Sequence, residues 1–497
     1  MQPGKQRKLV TSAILLGMFL AALEATAVAA AVPTAVGELG GVSRYSWVFA
    51  VYLLTSTTTV PLFGKLADLY GRKRTYQWAV FFFLLGSALC GVAQSFTQLI
   101  LFRAIQGLGA GGVMPVAITI TGDIYKLEER GRIQGLFSGV WALASLTGPL
   151  VGGLITDALS WRWIFYLNIP FGLVSAWMLQ RYLKEEAGRT DHKLDILGTV
   201  TLTAAVTLLL IALIEGPEAW GWGDARTLGF LAGSALSLAV FFWQERRAPE
   251  PMLPLDLFQN RLIAVSSAGN FLLGVLLFAI TAYVPVFGQG VIGGTAVDAG
   301  TILAPILIGW PIASAIAGRL LLRVGYRQMS IGGSVLVVAG CLLLARTGAA
   351  TGRTGVMVAM MIVGLGLGFI SMPYMLGVQN AVPWNRRGVA TSSVQFFRNI
   401  GGAISVAALG ALMNSRLERI VGRGANANAA LDPALRSRLS PEALNHLTSA
   451  LLHGLQAVFI ALAALSVISL GVALLFPRGS TRSLTYEEGE AAPLTHP

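Results

Sequence analysis

The sequence predicts an all-α integral membrane protein with fourteen membrane-spanning helices, arranged as two six-helix bundles with a two-helix insertion between them. Of its 497 residues, 55% are hydrophobic and 12% are charged, and the mean hydropathy is +0.68. A soluble domain usually carries about a quarter charged residues, so this chain lacks the polar residues that would cover a water-exposed surface. Most of the chain falls instead into apolar segments of about 20 residues, the length of a transmembrane helix.

The candidate spans are apolar runs of about 17 to 25 residues between charged or Pro/Gly-rich breaks. They lie at 9–31, 45–67, 77–96, 98–122, 133–157, 164–183, 195–216, 227–243, 262–287, 298–322, 328–346, 354–380, 388–414 and 453–476. The first run also resembles a signal peptide, because Lys5, Arg7 and Lys8 precede it. Its length and its internal carboxylate favour a retained helix.

The basic residues predict the orientation. With the N-terminus inside and the helices alternating, about 25 of the 36 Lys and Arg residues lie on the inner side. We therefore expect a monomer in the cell (inner) membrane with both termini cytoplasmic. The net charge of +12 then reflects topology and anionic lipid rather than nucleic-acid binding. Two cysteines and four dispersed histidines predict no metal site. No nucleophile, metal set or phosphate-binding loop is apparent in the sequence, so we expect neither an enzyme nor a cofactor.

Two sequence echoes predict an internal repeat. GKLADLYGRKR at 64–74 is echoed by GRLLLRVGYR at 318–327, and GLGAGGVMP at 107–115 by GLGLGFISMP at 364–373. The two offsets are nearly equal, which indicates two homologous halves. The predicted units are an N-terminal six-helix bundle at 1–190, a two-helix insertion at 191–250, a C-terminal six-helix bundle at 251–480 with a long extracytoplasmic loop at 415–452, and a cytoplasmic tail at 481–497. Parallel halves with a central site are a known transporter plan.

The loop GKLADLYGRKR combines glycines, an acid and bases in one turn. Gly64 and Gly71 allow close helix approach and a tight turn, while Asp68 can meet Arg72 and face the positive N-terminus of a neighbouring helix. Asp123 and Arg132 flank another turn on this side, and we expect them to form a surface pair.

Three further stretches carry polar or small residues inside apolar runs. In RAIQGLGAGG, Arg103 and Gln106 either point inward or Arg103 extends to the outer headgroups, since an unpaired cation in the membrane is costly. GVWALASLTGPLVGG contains Gly148, Pro149, Gly152 and Gly153, which allow close packing and bending. WRWIFYLNIPFG, at 161–172, is typical of an interfacial aromatic belt.

Together these stretches resemble the major facilitator superfamily, and the helix count, the insertion, the long loop and WRWIFYLNIPFG resemble its fourteen-helix drug:proton antiporters. The resemblance implies a major facilitator fold and a latch that holds the halves together in the outward-facing state. It implies latch roles for Gly64, Asp68, Gly71 and Arg72, an antiporter motif at Gly148, Pro149, Gly152 and Gly153, and a place near the protonation site for Arg103 and Gln106. Leu69 departs from the family pattern, which often has a base there.

Glu24 is the carboxylate that the sequence places deepest in the bilayer. It lies about fifteen residues, or about 22 Å, from the inner start of its helix. Such a group is costly unless it is neutral, paired or facing water, so Glu24 suits a proton carrier that loads outside and unloads inside. Each proton contributes about 2.3 kcal/mol per 100 mV of membrane potential. The alternative is a protonated Glu24 that bonds two helices together.

The expected function is a proton-coupled antiporter that exports lipophilic or cationic small molecules by alternating access, driven by the proton gradient alone. A lipid or glycolipid exporter on the same fold, which Arg398 near a headgroup would support, and a non-transporting receptor or scaffold are the alternatives. The candidate cavity residues are the aromatic and polar side chains of pore-facing helices: Thr26, Trp141, Asn270, Tyr283, Trp310, Tyr374, Gln379, Gln395 and Arg398.

Overall fold

The computed structural model describes residues 4–39, 45–125, 127–185, 195–216, 220–249, 251, 253–293, 296–348, 351–421 and 440–478, and these contain helices but no β-strand. They form fourteen α-helices of 20 residues or more: α1 (Gly4–Leu39), α2 (Tyr45–Tyr70), α3 (Arg72–Gly91), α4 (Phe96–Ile124), α5 (Leu127–Ala158), α6 (Arg162–Tyr182), α7 (Ile196–Glu215), α8 (Ala225–Glu245), α9 (Arg261–Gly290), α10 (Ala296–Val324), α11 (Tyr326–Ala345), α12 (Arg353–Asn380), α13 (Arg387–Val421) and α14 (Pro441–Leu474). Short 3-10 helices at Leu255–Gln259 and Trp384–Arg386 precede α9 and α13.

Ten helices in the described part of the chain are long and apolar enough to cross a membrane. The other four are α3, α5, α6 and α7. Charged residues at the start of α3 and α5 lower their hydropathy, and α7 contributes a shorter apolar stretch at Leu197–Leu213. The chain is therefore a multi-pass membrane protein.

The structure corrects the predicted loop 415–452 at both ends. Helix α13 continues to Val421, because its polar last turns are rich in Leu, Arg and Glu, which favour a helix even where hydropathy is low. Helix α14 begins at Pro441, and the side chain of Ser440 caps it by accepting a hydrogen bond from the N–H of Ala443. Residues 422–439 and the predicted tail 481–497 lie outside the described residues.

The helices pack as two six-helix halves and a separate pair. In the N-terminal half α1 packs on α5 and α6, α2 on α4, and α3 on α4 and α6; in the C-terminal half α9 packs on α13 and α14, α10 on α12, and α11 on α12 and α14. Helices α7 and α8, from the predicted insertion, pack on each other, and α7 also contacts α2 and α13. The indole N–H of Trp47 on α2 donates to Glu215 of α7 at 2.9 Å.

Both halves repeat the same turn between their second and third helices. Gly71 precedes α3 with φ 89°, and Gly325 precedes α11 with φ 85°, a conformation that residues with a Cβ rarely adopt. The second sequence echo has matching packing: Gly107 lies against α2, and its counterpart Gly364 lies against α10. The halves thus share local geometry at the two places where their sequences echo each other.

The halves meet through two helix pairs, α2 with α13 and α5 with α10. The hydrogen bonds and ion pairs that join them cluster where α2 ends and α13 begins, near Tyr70 and Arg387. We call this the latch end of the molecule. At the opposite end, Trp161 and Arg162 bond to Glu38 within the N-terminal half.

Candidate functional site

Glu24 of α1 forms an ion pair with Arg103 of α4 in the middle of the N-terminal half. The Glu24 side chain is 0% exposed and that of Arg103 is 2% exposed. Small residues around Glu24, including Ala22 and Ala27, let neighbouring helices close over the pair. Glu24 therefore faces protein rather than lipid, and Arg103 does not extend to the headgroups.

Side chains from four helices, α2, α3, α4 and α6, complete the surroundings of Arg103. Its guanidinium donates to Gln106 Oε1 at 2.7 Å, and Gln106 in turn donates to Ser87 of α3 at 2.8 Å. Asn168 of α6 donates to the same Ser87 hydroxyl at 3.1 Å. The Arg103 guanidinium also lies 4.1 Å from the ring centroid of Tyr52, within cation–π range. Removing one partner from a buried ion pair typically costs about 3–5 kcal/mol, so this network fixes Arg103 in place.

The two carboxylate oxygens of Glu24 have different surroundings. Oε1 accepts from Arg103, whereas Oε2 is buried without a hydrogen bond of good geometry, although the Tyr52 hydroxyl lies beside the carboxylate. A proton on Oε2 would neutralise Glu24 while Arg103 kept its bond to Gln106.

The glycines of the fifth helix bring α5 against α1 close to Glu24. A Cβ at Gly148 would overlap Thr26 Oγ1, and a Cβ at Gly152 would lie 2.6 Å from the carbonyl oxygen of Ala27. Thr26 donates to the carbonyl of Ala144 on α5 at 3.0 Å. Any movement of α5 is therefore transmitted to the turn of α1 that follows Glu24. The surroundings of the other two motif residues, Pro149 and Gly153, lie outside what the structure describes.

At the latch end, Asp68 of α2 binds the start of α13. Its carboxylate accepts from the N–H groups of Gly388 at 2.9 Å and Val389 at 2.7 Å, and it pairs with Arg72 at 3.0 Å. The structure thus places both expected partners, Arg72 and a helix N-terminus, against Asp68. A Cβ at Gly64 would overlap Ser392, so this glycine permits the close crossing of α2 and α13.

Arg72 and Asp123 add contacts at the latch end, with Trp384 and Arg387 of the C-terminal half. The Arg72 guanidinium lies over the Trp384 ring at 3.8 Å, donates to the Trp384 carbonyl at 2.7 Å and pairs with Asp123 at 3.0 Å. Asp123 also pairs with Arg387 of the C-terminal half at 2.6 Å. The expected pair of Asp123 with Arg132 was wrong, because the fold brings Arg387 to Asp123 and leaves Arg132 exposed.

A second latch contact involves residues that the sequence did not single out. Arg130 of α5 donates to Asn380 Oδ1 of α12 at 2.7 Å, and Asn380 donates to the Tyr326 hydroxyl at 3.0 Å. Gln379, predicted in the cavity, instead donates across the halves to the Ile118 carbonyl at 3.4 Å. The only signal for Arg130 and Arg387 was their position among the basic residues of two loops.

Several candidate cavity residues are used for packing. Tyr283 donates to the carbonyl of Val406, and Tyr374 is fully buried with its ring stacked on Phe476 at 5.5 Å. Both belong to the interior of the C-terminal half, because the structure turns these faces of α9 and α12 away from the N-terminal half. Thr26 is held at the α1–α5 contact described above.

The other candidates keep partly free polar or aromatic groups. Asn270 donates to the carbonyl of Ser266 in its own helix, Trp141 is 38% exposed, and Trp310 is half-buried. Gln395 and Arg398 lie one turn apart on α13. The structure also adds Tyr52, Ser87 and Asn168 to the Glu24 network, which only their polarity within apolar stretches could have indicated. No metal-binding group of three or more His, Cys, Asp or Glu residues occurs among the described residues.

Comparisons with known proteins agree with this architecture. A family model described as Major Facilitator Superfamily matches residues 14–406. The multidrug transporter protein MdtP of Bacillus subtilis is 39% identical over 415 residues, covering 83% of this chain and 77% of that protein. Multidrug resistance protein 3 of the same bacterium is 35% identical over 498 residues, covering 97% of each chain.

A solved structure shares the fold at low sequence identity. The crystal structure of the human organic anion transporter MFSD10 (TETRAN) has a TM-score of 0.62, with 15% identity over 95% of this chain and 100% of that one.

Proposed function

This chain belongs to the major facilitator superfamily of membrane transporters, and from that premise we propose that it exports lipophilic small molecules in exchange for protons by alternating access. Relatives that are named as multidrug transporters cover most of the chain at 35–39% identity, which supports efflux as the direction of transport. Protons are the coupling ions, and the gradient supplies the energy without a cofactor.

The buried pair of Glu24 and Arg103 carries the proposal of proton coupling. Ionised Glu24 neutralises Arg103, so the pair can be sealed inside protein without a net charge. A proton that enters from the outside removes the attraction, and loss of the proton to the inside restores it. Because Thr26 and the α5 glycines adjoin Glu24, this change acts on the α1–α5 contact.

We propose that all fourteen long helices cross the membrane and that the latch end is cytoplasmic. Ten of the described helices have the composition of membrane spans, and the remaining four have 20 to 32 residues, long enough to cross beside them. The excess of Lys and Arg near the latch end supports a cytoplasmic location for this end and for both termini, by the positive-inside rule. With the latch bonded, the cavity opens to the outside.

Glu24→Gln tests the coupling directly. We expect this variant to lose pH-gradient-driven efflux of a fluorescent lipophilic dye in proteoliposomes while it still binds the dye, because an amide cannot exchange the proton. Glu215→Gln is the matched control, since Glu215 ends α7 and bonds only to Trp47 in the described contacts. Undiminished gradient-driven efflux by Glu24→Gln would remove Glu24 from the mechanism.

A further inference from the structure

One face of α13 carries polar atoms that have no hydrogen-bond partner among the described residues, although Gln395 Nε2 donates to Asn399 Oδ1 at 3.3 Å. Thr391, Gln395 and Arg398 follow one another at spacings of four and three residues, so they lie on one side of the helix. Thr391 Oγ1, Gln395 Oε1 and Arg398 Nε are all buried and make no hydrogen bond within the described structure. Buried polar groups are normally paired, so three orphaned groups on one face indicate a ligand-binding surface.

This face lies next to contacts with helices of both halves. Helix α9 contacts α13 at Gly401 and Gly402, whereas α2 contacts it at Ser392. At 3.6 residues per turn, Gly402 lies on the same side of α13 as Thr391, Gln395 and Arg398, one turn beyond Arg398, so α9 covers that end of the face. Ser392 lies about 60° around the helix from Gln395. The orphaned groups therefore lie beside the α9 contact of the C-terminal half and within one turn of the α2 contact of the N-terminal half. The face borders both halves, as a substrate site for alternating access does.

Arg398 also differs from Arg103 and Arg72 in whether it pairs with an acidic side chain. Arg103 is paired with Glu24, and Arg72 is paired with Asp68. Arg398 forms no ion pair in the part of the chain that the structure describes. Its Nε is buried, and the residue as a whole is half-buried. An unpaired cation at this depth is costly, and an anionic ligand would offset the cost.

We propose that Thr391, Gln395 and Arg398 form the site that recognises the transported molecule, and that this molecule is an amphipathic monoanion with a carboxylate or phosphate group on a lipophilic body. The inference rests on the proposed export function and names its substrate class. The acid accepts hydrogen bonds from Arg398, and a donor group of the same molecule satisfies Gln395 Oε1. Because the bound acid neutralises Arg398, the loaded site can be closed off from water.

The test compares two probes that differ only in charge: dansyl-undecanoic acid and its methyl ester. They are titrated by fluorescence against the full-length protein in detergent at about pH 8, where a carboxylic acid is ionised. We expect the protein to bind the acid at least about tenfold more tightly than the ester, as a charge-assisted hydrogen bond provides. In Arg398→Gln the ratio should fall to about one through loss of acid affinity alone.

Two further variants make the result specific. Arg398→Lys keeps the charge but loses the planar fork, so it should retain part of the preference and guard against a folding failure of Arg398→Gln. Arg323→Gln removes an exposed arginine of α10 and should leave the ratio unchanged. An unchanged ratio in both Arg398 variants, or a wild-type protein that binds the ester as tightly as the acid, would overturn the proposal.

Two further experiments identify the source of the acid and distinguish the acid site from the proton coupling. Displacement of the acid probe by phosphatidylglycerol, but not by phosphatidylcholine, assigns the site to a lipid headgroup; no displacement assigns it to a soluble amphiphile, and either result keeps the acid site. If Arg398→Gln loses acid preference but still exports a neutral dye on a pH gradient, the two proposals stand independently. If Glu24→Gln exports normally while the acid preference persists, only the coupling proposal fails.

Discussion

Asp68→Asn should open the latch end by a measurable amount. Asp68 joins α2 to α13 through the N–H groups of Gly388 and Val389 and pairs with Arg72, and its side chain is 4% exposed. Asparagine has one acceptor oxygen, so it can keep at most one of the two N–H bonds and loses the ion pair. A hydrogen bond to a charged group contributes about 1.5–3 kcal/mol, which corresponds to a shift of about tenfold to a hundredfold toward the open latch.

Spin-label distances across the latch end measure this shift. Labels on cysteines at Arg74 of α3 and Arg323 of α10 attach to exposed positions in different halves. The native Cys90 and Cys341 are buried, and both are replaced before labelling. The Asp68→Asn distribution should gain a longer distance that the parent protein populates weakly.

The matched control is Asp256→Asn, which removes an ion pair with Arg386 at the same end of the molecule. Both members of this ion pair are about half exposed, so the pair contributes only about 0–1 kcal/mol to stability. The distance distribution should barely change. Identical distributions for the parent and Asp68→Asn, or an equal shift in both variants, would refute the assignment of the latch to Asp68.

Two other predictions concern the α5 contacts. Gly148→Ala should lower the unfolding free energy by about 1–3 kcal/mol and slow gradient-driven efflux, because its Cβ overlaps Thr26 Oγ1. Gly139→Ala on the same helix meets nothing within 4 Å and should behave as the parent does in thermal unfolding and efflux; equal losses in both variants would contradict the packing argument. Arg130→Gln should weaken the second latch contact by about 1.5–3 kcal/mol, because it loses a charged donor to Asn380. The same distances should report this opening, and the effect should largely vanish in an Asn380→Ala background; additive effects would argue against a direct contact.

Much of the candidate site followed from local sequence. A carboxylate in the middle of an apolar run has few acceptable surroundings, so Glu24 was conspicuous without a structure. Asp68 and Arg72 are four residues apart, and their contact depends only on helical periodicity and the turn at Gly71. Partners that lie far apart in the chain were harder to predict: Asp123 binds Arg387 rather than Arg132, although Arg132 is closer in the chain.

Sequence alone determined the class of protein, an all-helical multi-pass membrane protein, because the class depends on hydropathy and spacing along the chain. Tertiary structure decided that Arg103 meets Glu24, that Arg387 and Val389 complete the latch, and that Tyr283 and Tyr374 pack within one half. The physical reason is that membrane helices are apolar on most faces, so hydropathy does not specify how each helix is rotated about its axis. Packing against neighbouring helices sets that rotation, and with it the partner of every buried polar side chain.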